Sequence, residues 1–360
     1  MKHLFLSFLL CTLLSACKPQ ETITTSNQKA ATHMNKYEWL AKFTSPRQYN
    51  WMHITGGYFI LEDDSKMPIY HGYIPMGRWG NSSGTRVVGP KYKYLPKQLN
   101  ITWFSILENQ AYQAECLFPF DQLKQDAENG FSNVRSFGWE DKPFNRFTTG
   151  IAPGGYIQVW ASSGAAQITI GYCQGKPVDV PFETTRLSEG GGYKSWQHYV
   201  QTYKKKYTSQ ELKTLEEKAF PINIWRDIYT KRYPYTIKTS GMRQETAYTD
   251  LVTFGDEYYI FGAPKTPADR YDTHGAPSML DVFTLSSKDN QHREESYRVY
   301  FDEAETLAAF EKFTEITQGK PFELHAELDD LKHLKIRLVY REHSYQFKKT
   351  RRTRRVKNLK

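Results

Sequence analysis

"LPKQLNITWFSILENQAYQAECLFP", residues 95–119, is the stretch that decides the fold of this chain. It contains two runs rich in β-branched and aromatic residues, 99–105 and 111–118, and the short link ILENQ lies between them. Such runs favour pleated, half-buried strands, and a short link between two of them is typical of a hairpin. We therefore predict an antiparallel hairpin here.

A second pair of strands is predicted at Tyr156–Ala161 and Gln167–Cys173, where β-branched and aromatic residues cluster again. Residues 153–155, Pro-Gly-Gly, begin this pair as a turn, because proline and glycine are the strongest turn formers. A helix is predicted over residues 196–203, where large apolar and aromatic residues recur at the spacing i, i+3, i+4 and i+7.

The composition favours sheets over a helical bundle. The chain of 360 residues contains 25 Tyr, 21 Phe and 8 Trp, and aromatic residues are enriched in strands. We predict an α+β fold, mostly antiparallel β-sheet with a few helices, in two sheet-rich units. The first unit spans residues 35–240 with helices near 194–230, and the second is an α+β unit over 241–347.

The first sixteen residues, MKHLFLSFLLCTLLSA, have the layout of a secretory signal peptide. The apolar run Leu4–Leu14 is shorter than the roughly 20 residues that a membrane-spanning helix needs. The tetrapeptide Leu-Ser-Ala-Cys that ends at Cys17 resembles a bacterial lipobox, which implies that Cys17 is lipidated and becomes the new N-terminus. The alternative is an ordinary signal peptide in which Cys17 has no role.

Residues 17–34 are predicted to be a lipidated N-terminus and a flexible tether, because they are polar and contain no aromatic residue. Several acyl chains hold a protein firmly at a membrane, whereas one chain binds only reversibly. In bacterial lipoproteins, aspartate after the lipidated cysteine favours retention in the inner membrane. By that resemblance, Lys18 implies an outer-membrane lipoprotein that is lipid-anchored and faces the periplasm.

The basic character of the chain is concentrated at its end. The net charge is +9, and the last thirteen residues, 348–360, contain eight Lys or Arg and no acid, so the remaining residues carry a net charge of only +1. We interpret 348–360 as a basic tail, for which a solvated, disordered end is the simplest interpretation. The alternatives are contact with anionic lipid headgroups or with an acidic protein. We expect no nucleic-acid partner, because the chain is predicted to be exported.

Four cysteines are present. Cys11 would leave with the signal peptide and Cys17 would take lipid. Cys116 and Cys173 would then remain in an oxidising compartment, where paired thiols commonly form a disulfide. Two buried free thiols remain the alternative, since a disulfide requires Cα atoms within about 7 Å of each other.

No pattern in the sequence predicts catalysis. GNSSG, residues 80–84, matches G-x-S-x-G but lacks the strand before and the helix after that a nucleophile elbow requires. His325 and His333 are eight residues apart, which is not a metal-ligand spacing. We therefore predict that the protein is not an enzyme, with no catalytic residue, no metal and no cofactor.

Two segments resemble a known family. One is a strand motif "LP-x-x-L-x-I-x-W-F-S" and the other is a turn and strand "A-P-G-G…V-W". The matching residues are Leu95, Pro96, Leu99, Ile101, Trp103, Phe104 and Ser105, and then Ala152, Pro153, Gly154, Gly155, Val159 and Trp160. With the lipobox, they resemble the bacterial lipoprotein family called domain of unknown function 2931, over roughly residues 35–235.

The resemblance implies structural roles for these residues. Trp103 and Trp160 would be core aromatics, and Pro153, Gly154 and Gly155 would form a turn. It also implies a function, because family members often accompany type VI secretion effectors and are thought to be periplasmic immunity proteins. The expected partner is a secreted lipase-type effector, a phospholipase. The alternatives are an envelope-structural or maintenance lipoprotein without a toxin partner and, less favoured, a hydrolase.

Overall fold

The computed structural model describes residues 35–359, except residue 50 and the ranges 75–77, 82–88, 136–137, 165, 218–221, 242–246, 263–265, 267–272, 289–290 and 330–332. The predicted signal peptide, Cys17 and the tether up to residue 34 lie outside the described residues, as do residues 82–84 of the GNSSG stretch.

The described part of the chain is mostly strand. In chain order the strands are β1 (Tyr37–Glu38), β2 (Leu40–Thr44), β3 (Met52–Leu61), β4 (Lys66–Pro68), β5 (Gly72–Tyr73), β6 (Tyr92–Lys93), β7 (Pro96–Ser105), β8 (Gln110–Leu117), β9 (Phe131–Arg135), β10 (Gly138–Lys142), β11 (Arg146–Ala152), β12 (Tyr156–Ser162), β13 (Gln167–Gln174), β14 (Lys176–Val178), β15 (Tyr235–Ser240), β16 (Ala247–Thr253), β17 (Tyr258–Phe261), β18 (Pro277–Lys288), β19 (Gln291–Phe301), β20 (Phe322–Leu328), β21 (Leu334–Tyr340), β22 (His343–Gln346) and β23 (Thr350–Leu359).

Helices are fewer and shorter. The described α-helices are α1 (Phe120–Asn129), α2 (Arg186–Gly190), α3 (Trp196–Lys204), α4 (Ser209–Glu216) and α5 (Glu303–Thr317). Short 3-10 turns occur at Arg47–Tyr49, Pro153–Gly155 and Phe182–Thr184, and a π-helical turn at Ile224–Ile228. The prediction of an α+β fold, mostly antiparallel sheet with a few helices, is confirmed.

The predicted local elements form where the sequence pattern places them. β7 and β8 pair antiparallel from Gln98 opposite Leu117 to Ser105 opposite Gln110, which is the predicted hairpin. α3 begins after Ser195, whose hydroxyl accepts the His198 N–H at 3.1 Å as an N-cap. Short-range periodicity and capping are sufficient for these elements.

The largest sheet among the described strands joins early and late parts of the chain. Its order is β2-β11-β12-β13-β17-β16-β18-β19-β23, and all its neighbours are antiparallel except β2 and β11. A six-stranded sheet contains β14-β8-β7-β3-β4, with β5 also paired to β3, and a four-stranded sheet contains β15-β20-β21-β22. Two short pairs, β1-β6 and β10-β9, complete the described sheets.

The predicted boundary near residue 241 does not separate two sheets. β13 pairs with β17 where Gln167 lies opposite Tyr258, so the nine-stranded sheet continues from one predicted unit into the other. The described residues from Lys36 onward form one compact unit. The reason is that hydrophobic alternation predicts a strand but does not say which distant strand will pair with it.

The end of the chain also differs from expectation. The sequence favours a solvated, disordered end for the basic tail 348–360, whereas Thr350–Leu359 is strand β23. It pairs along its whole length with β19, from Phe301 opposite Thr350 to His292 opposite Leu359. The physical reason is that the pairing satisfies backbone groups, while residues 351–357 keep their side chains exposed and their charges hydrated.

Candidate functional site

A cleft of about 460 Å³ lies against the nine-stranded sheet and is lined by residues from several distant segments. Seven of its fifteen lining residues are aromatic, and two arginines and one aspartate contribute the charged groups. We call it the aromatic cleft. Its lining residues are Pro46, Arg47, Tyr49, Arg78, Trp79, Trp225, Tyr229, Val252, Thr253, Phe254, Asp256, Ser278, Met279, Tyr300 and Phe301.

Three buried tryptophans form one contact network at the cleft. The Trp79 ring lies edge-on to Trp160, with centroids 5.1 Å apart, and its centroid is 6.1 Å from that of Trp225. Gly150 makes this packing possible, because a Cβ there would lie 2.6 Å from Trp160 and 2.9 Å from Trp79. Edge-on aromatic pairs contribute about 0.5–1.5 kcal/mol beyond the burial of their area, so the network favours a rigid wall.

A tight turn positions Trp79. The backbone N–H of Arg78 donates to the carbonyl of Asn81 at 3.1 Å, and the Asn81 N–H donates back at 2.8 Å. The Thr44 hydroxyl, at the end of β2, donates to the Arg78 carbonyl at 2.8 Å. These bonds fix Trp79 on the cleft and leave the Arg78 side chain exposed.

Trp160 connects the cleft to the turn between β16 and β17. Its Nε1–H donates to the Gly255 carbonyl at 3.0 Å. Gln158 Nε2, two residues away on β12, donates to the Thr169 hydroxyl at 2.8 Å and lies 3.4 Å from the same Gly255 carbonyl. The second half of the chain therefore supplies one wall of the cleft, and a tryptophan from the first half holds it there.

Asp256 is the buried acid of the cleft. Its carboxylate Oδ2 accepts the Gln167 amide at 2.8 Å, and its carbonyl accepts the same amide at 2.6 Å. Arg78 Nη2 lies 3.7 Å from Oδ1, and the guanidinium of Arg78 is largely exposed. Burial raises the pKa of Asp256 to about 7, and Arg78 and Gln167 only partly oppose that rise. Near neutral pH this carboxyl is poised between its neutral and charged forms.

The mouth of the cleft is positively charged. Arg47 and Arg78 are exposed at its edge, while the acid that Arg78 faces is buried. Within the described part of the chain, no group of three or more His, Cys, Asp or Glu could hold a metal ion. The arrangement of aromatic side chains beneath two exposed guanidinium groups suits the binding of another molecule's side chains.

The structure places the predicted Trp103 beside the turn of Pro153, Gly154 and Gly155. Trp103 is fully buried and stacks on Tyr112, with centroids 5.5 Å apart. A Cβ at the neighbouring Gly175 would lie 2.4 Å from the Trp103 ring.

The turn itself is held by backbone bonds. The Gly175 N–H donates to the Gly155 carbonyl at 2.8 Å, and the Gly154 N–H donates to Glu108 Oε1 at 2.8 Å. Gly154 and Gly155 both have positive φ, 80° and 77°, which explains the glycine pair. Trp103 and the turn therefore have packing roles, whereas the motif residues Ala152 and Trp160 belong to the buried cluster that contains Trp79 and Trp225.

Cys116 and Cys173 are joined by a disulfide, with Cα atoms 5.3 Å apart. Cys116 lies on β8 and Cys173 on β13, so the bond connects the six-stranded and nine-stranded sheets. Cys17 lies outside the described residues. Across the described residues, no helix combines the length and the hydrophobicity needed to cross a membrane.

Sequence reasoning missed the cleft residues Arg47, Arg78, Trp79, Trp225 and Asp256. They come from four separate segments, and none belongs to a recognisable motif. The only available signal was the large number of tyrosines and tryptophans, and that number does not indicate which of them line a cleft. The two histidines that the sequence analysis considered do not line the cleft: His325 Nε2 contacts Glu323 at 2.7 Å, and His333 Nδ1 lies 3.7 Å from Asp329.

Comparison with known proteins gives one result. The profile of a family described as a protein of unknown function (DUF2931) matches residues 21–223, which is more than half of the chain. No curated protein and no solved structure matches the chain. Trp103, the turn 153–155 and Trp160 lie inside the matched range, whereas Asp256 and the later cleft residues lie beyond it. The chain thus belongs to the DUF2931 family of proteins of unknown function.

Proposed function

We propose that this protein is an outer-membrane-anchored periplasmic lipoprotein that binds and neutralises a type VI secretion toxin, a secreted lipase-type effector. The single observation that supports this best is the aromatic cleft, in which Trp, Tyr and Arg side chains converge on one opening. Those three residue types dominate the energetic centres of protein–protein interfaces. The cleft therefore has the chemistry of an inhibitor's binding pocket.

The size of the cleft indicates how a partner would use it. A volume of about 460 Å³ accommodates one or two large side chains rather than a whole domain. A stable inhibitory interface buries about 1,600 Å² in total, so the cleft would be its centre and the surrounding surface its rim. Arg47 and Arg78 at the mouth would pair with acidic groups of the toxin and exclude water around the contact.

The lipid anchor would place this surface where an incoming lipase acts. Lipidated Cys17 would hold the chain at the membrane, and residues 18–33, as the tether that the sequence predicts, would have a root-mean-square reach of roughly 20–24 Å. The body could then meet the toxin beside its lipid substrate. Neutralisation would follow from covering the toxin's surface, which requires no catalytic group, metal or cofactor.

Binding is tested by charge reversal at the cleft. Arg47→Glu introduces a carboxylate at the mouth, and the matched control Lys312→Glu makes the same charge change on the exposed face of α5. Affinity capture from envelope extract of secretion-active cells, read by mass spectrometry, should recover a lipase-type effector with the wild type and the control. Arg47→Glu should recover clearly less. Equal recovery with both variants would show that the cleft is not the interface.

Protection is tested in cells. Deletion of the gene should sensitise cells to secreting siblings, and re-expression should restore resistance only when the protein is exported. If the deletion strain competes equally with a parent that is demonstrably secreting, the immunity function fails, and the envelope-structural alternative takes its place.

Anchoring is tested separately with an alkyne-tagged palmitate. Labelling should mark the wild-type protein and be abolished by Cys17→Ser, because the thiol carries the diacylglycerol. Equal labelling of Cys17→Ser would contradict the lipid anchor without bearing on toxin binding.

A further inference from the structure

Strand β23 ends the nine-stranded sheet. Among the described strands it pairs only with β19, so its other edge has no strand neighbour in the described chain. Five of its ten residues are Arg or Lys and none is acidic. A long edge strand normally invites pairing with another chain, and edge charges restrict which chains can pair.

The register shows which backbone groups face outward. The Asp302 N–H donates to the Lys349 carbonyl at 3.1 Å. Asp302 and Lys349 are the next pair after Phe301 and Thr350 in the β19–β23 register, so they form a hydrogen-bonded pair. In an antiparallel pair, hydrogen-bonded positions alternate with positions whose N–H and C=O point away from the partner. Residues Arg352, Arg354 and Val356 therefore direct their backbone donors and acceptors outward, in a row that a further strand could use.

Cationic side chains flank this row on both faces. Arg352 and Arg354 lie opposite Val299 and Tyr297, and they line a groove of about 190 Å³ together with His333. On the other face, the Arg351 guanidinium lies 4.1 Å above the Tyr300 ring, which holds it near the edge. A strand added here would meet positive charge above and below its plane.

This charge is only partly neutralised within the protein. Arg354 Nη2 lies 3.3 Å from Glu295. Arg352 and Lys357 form no ion pair with any described residue. The excess positive charge therefore lies on the same strand that carries the outward backbone row.

We propose that β23 is a docking edge that binds an acidic, extended segment of a partner protein by strand addition. The backbone row of β23 would supply a ladder of hydrogen bonds, and the flanking cations would select glutamates or aspartates on alternate sides of the added strand. A second copy of the chain does not fit, since two β23 edges would bring like charges together. A flat lipid surface would use the cations of one face only. The proposal goes beyond the toxin-binding function, because it holds for any partner that carries such a segment.

The edge is tested with the full mature chain and a labelled peptide of alternating glutamate and valine, as long as β23. Fluorescence anisotropy should show saturable binding that weakens as salt rises, because the ion pairs are exposed. The same peptide N-methylated at alternate backbone positions keeps its charge and cannot complete the ladder. It should bind at least about tenfold more weakly, since several backbone hydrogen bonds are lost. Equal binding of both peptides, or binding of neither, would overturn strand addition.

Variants of the protein, rather than of the peptide, test the same edge. Val356→Pro removes one outward N–H, which an edge position tolerates, and leaves the bonds to β19 intact. Arg352→Glu reverses an unpaired charge, and Lys312→Glu is the matched control on α5. Val356→Pro and Arg352→Glu should each weaken peptide binding several-fold with unchanged circular dichroism, and Lys312→Glu should not. If Arg352→Glu instead abolishes binding to phosphatidylserine vesicles while the peptide never binds, the edge is a lipid surface and the proposal is wrong.

Discussion

The region that matches the family and the region after it share one sheet and one hydrophobic core, but they differ in the contacts that supplement that core. The matched region contains the Cys116–Cys173 disulfide and the Trp103–Tyr112 stack. The later region contains a buried ion pair, in which Arg298 Nε donates at 2.7 Å to Asp281, a residue with no solvent exposure. Covalent and apolar contacts respond weakly to pH, whereas buried carboxyls respond strongly.

The difference suggests how the two regions depend on each other. A second buried ion pair, Arg232 Nη2 to Glu257 Oε1 at 2.5 Å, lies beside the turn that Trp160 holds. Burying a charged pair is costly unless its geometry is fixed by surrounding structure. Trp160 of the first region therefore supports the polar contacts of the second, and three predictions test how the two regions are stabilised.

The largest effect is expected at Trp160. Trp160→Ala removes a fully buried ring and the bond to the Gly255 carbonyl, so the free energy of unfolding should fall by about 3–5 kcal/mol. Trp160→Phe keeps a ring and removes the N–H, and it should cost clearly less. Urea denaturation followed by circular dichroism measures both. If the alanine variant lost less than the phenylalanine variant, the proposed support of the second region would be contradicted.

A smaller effect is expected from the disulfide. The double substitution Cys116→Ala and Cys173→Ala should lower the free energy of unfolding by about 2–4 kcal/mol, since the bond closes a loop of 57 residues across two sheets. The control is reductant, which should destabilise the wild type and leave the double variant unchanged. Intact mass after alkylation without reduction should show no added alkyl group on the periplasmic protein, and two added groups would show that both thiols are free.

The smallest effect, counted per pH unit, is the change in the free energy of unfolding with pH that Asp256 causes. Its pKa is about 7 in the folded protein and its ordinary pKa is 3.8, so between these pH values the folded state holds a proton that the unfolded state has lost. Stability should therefore fall as pH rises through this window, by up to about 1.4 kcal/mol per pH unit for a full proton difference. Asp256→Asn has no carboxyl to ionise at this position, so it does not lose this stability. At pH above the window it should be more stable than the wild type.

Asp250 offers the matched comparison for that slope. Burial also raises its pKa to about 7, and it lies on β16 rather than at the cleft. Asp250→Asn should reduce the pH dependence of the free energy of unfolding by a similar amount. Urea unfolding of the wild type and both variants across the pH range measures it, and an unchanged slope in Asp256→Asn would mean that its carboxyl ionises normally in the folded protein.

Local elements were predictable because their causes lie within a few residues. α1 spans Phe120–Asn129 and ends before Gly130, whose φ is 65°, as the glycine at that position predicts. The hairpin around Gly255-Asp256 likewise follows from turn residues between two apolar runs.

The cleft could not be predicted in the same way. Arg47, Trp79, Trp225 and Asp256 are far apart in sequence, and only the order of strands in the nine-stranded sheet brings them to one opening. The family motifs indicated tryptophans that pack, and one of them, Trp160, also holds the wall of the cleft through a single hydrogen bond.

The cysteines and the C-terminal strand show what the sequence alone predicts and what only the tertiary structure decides. The sequence alone was enough to predict strands containing Cys116 and Cys173 and to locate a basic segment at residues 348–360, because alternation and charge are local properties. Only the tertiary structure decided that the two cysteines lie 5.3 Å apart and that the basic segment is an edge strand. Both outcomes depend on which distant strands become neighbours, and that choice is made by the packing of the whole core rather than by any one segment.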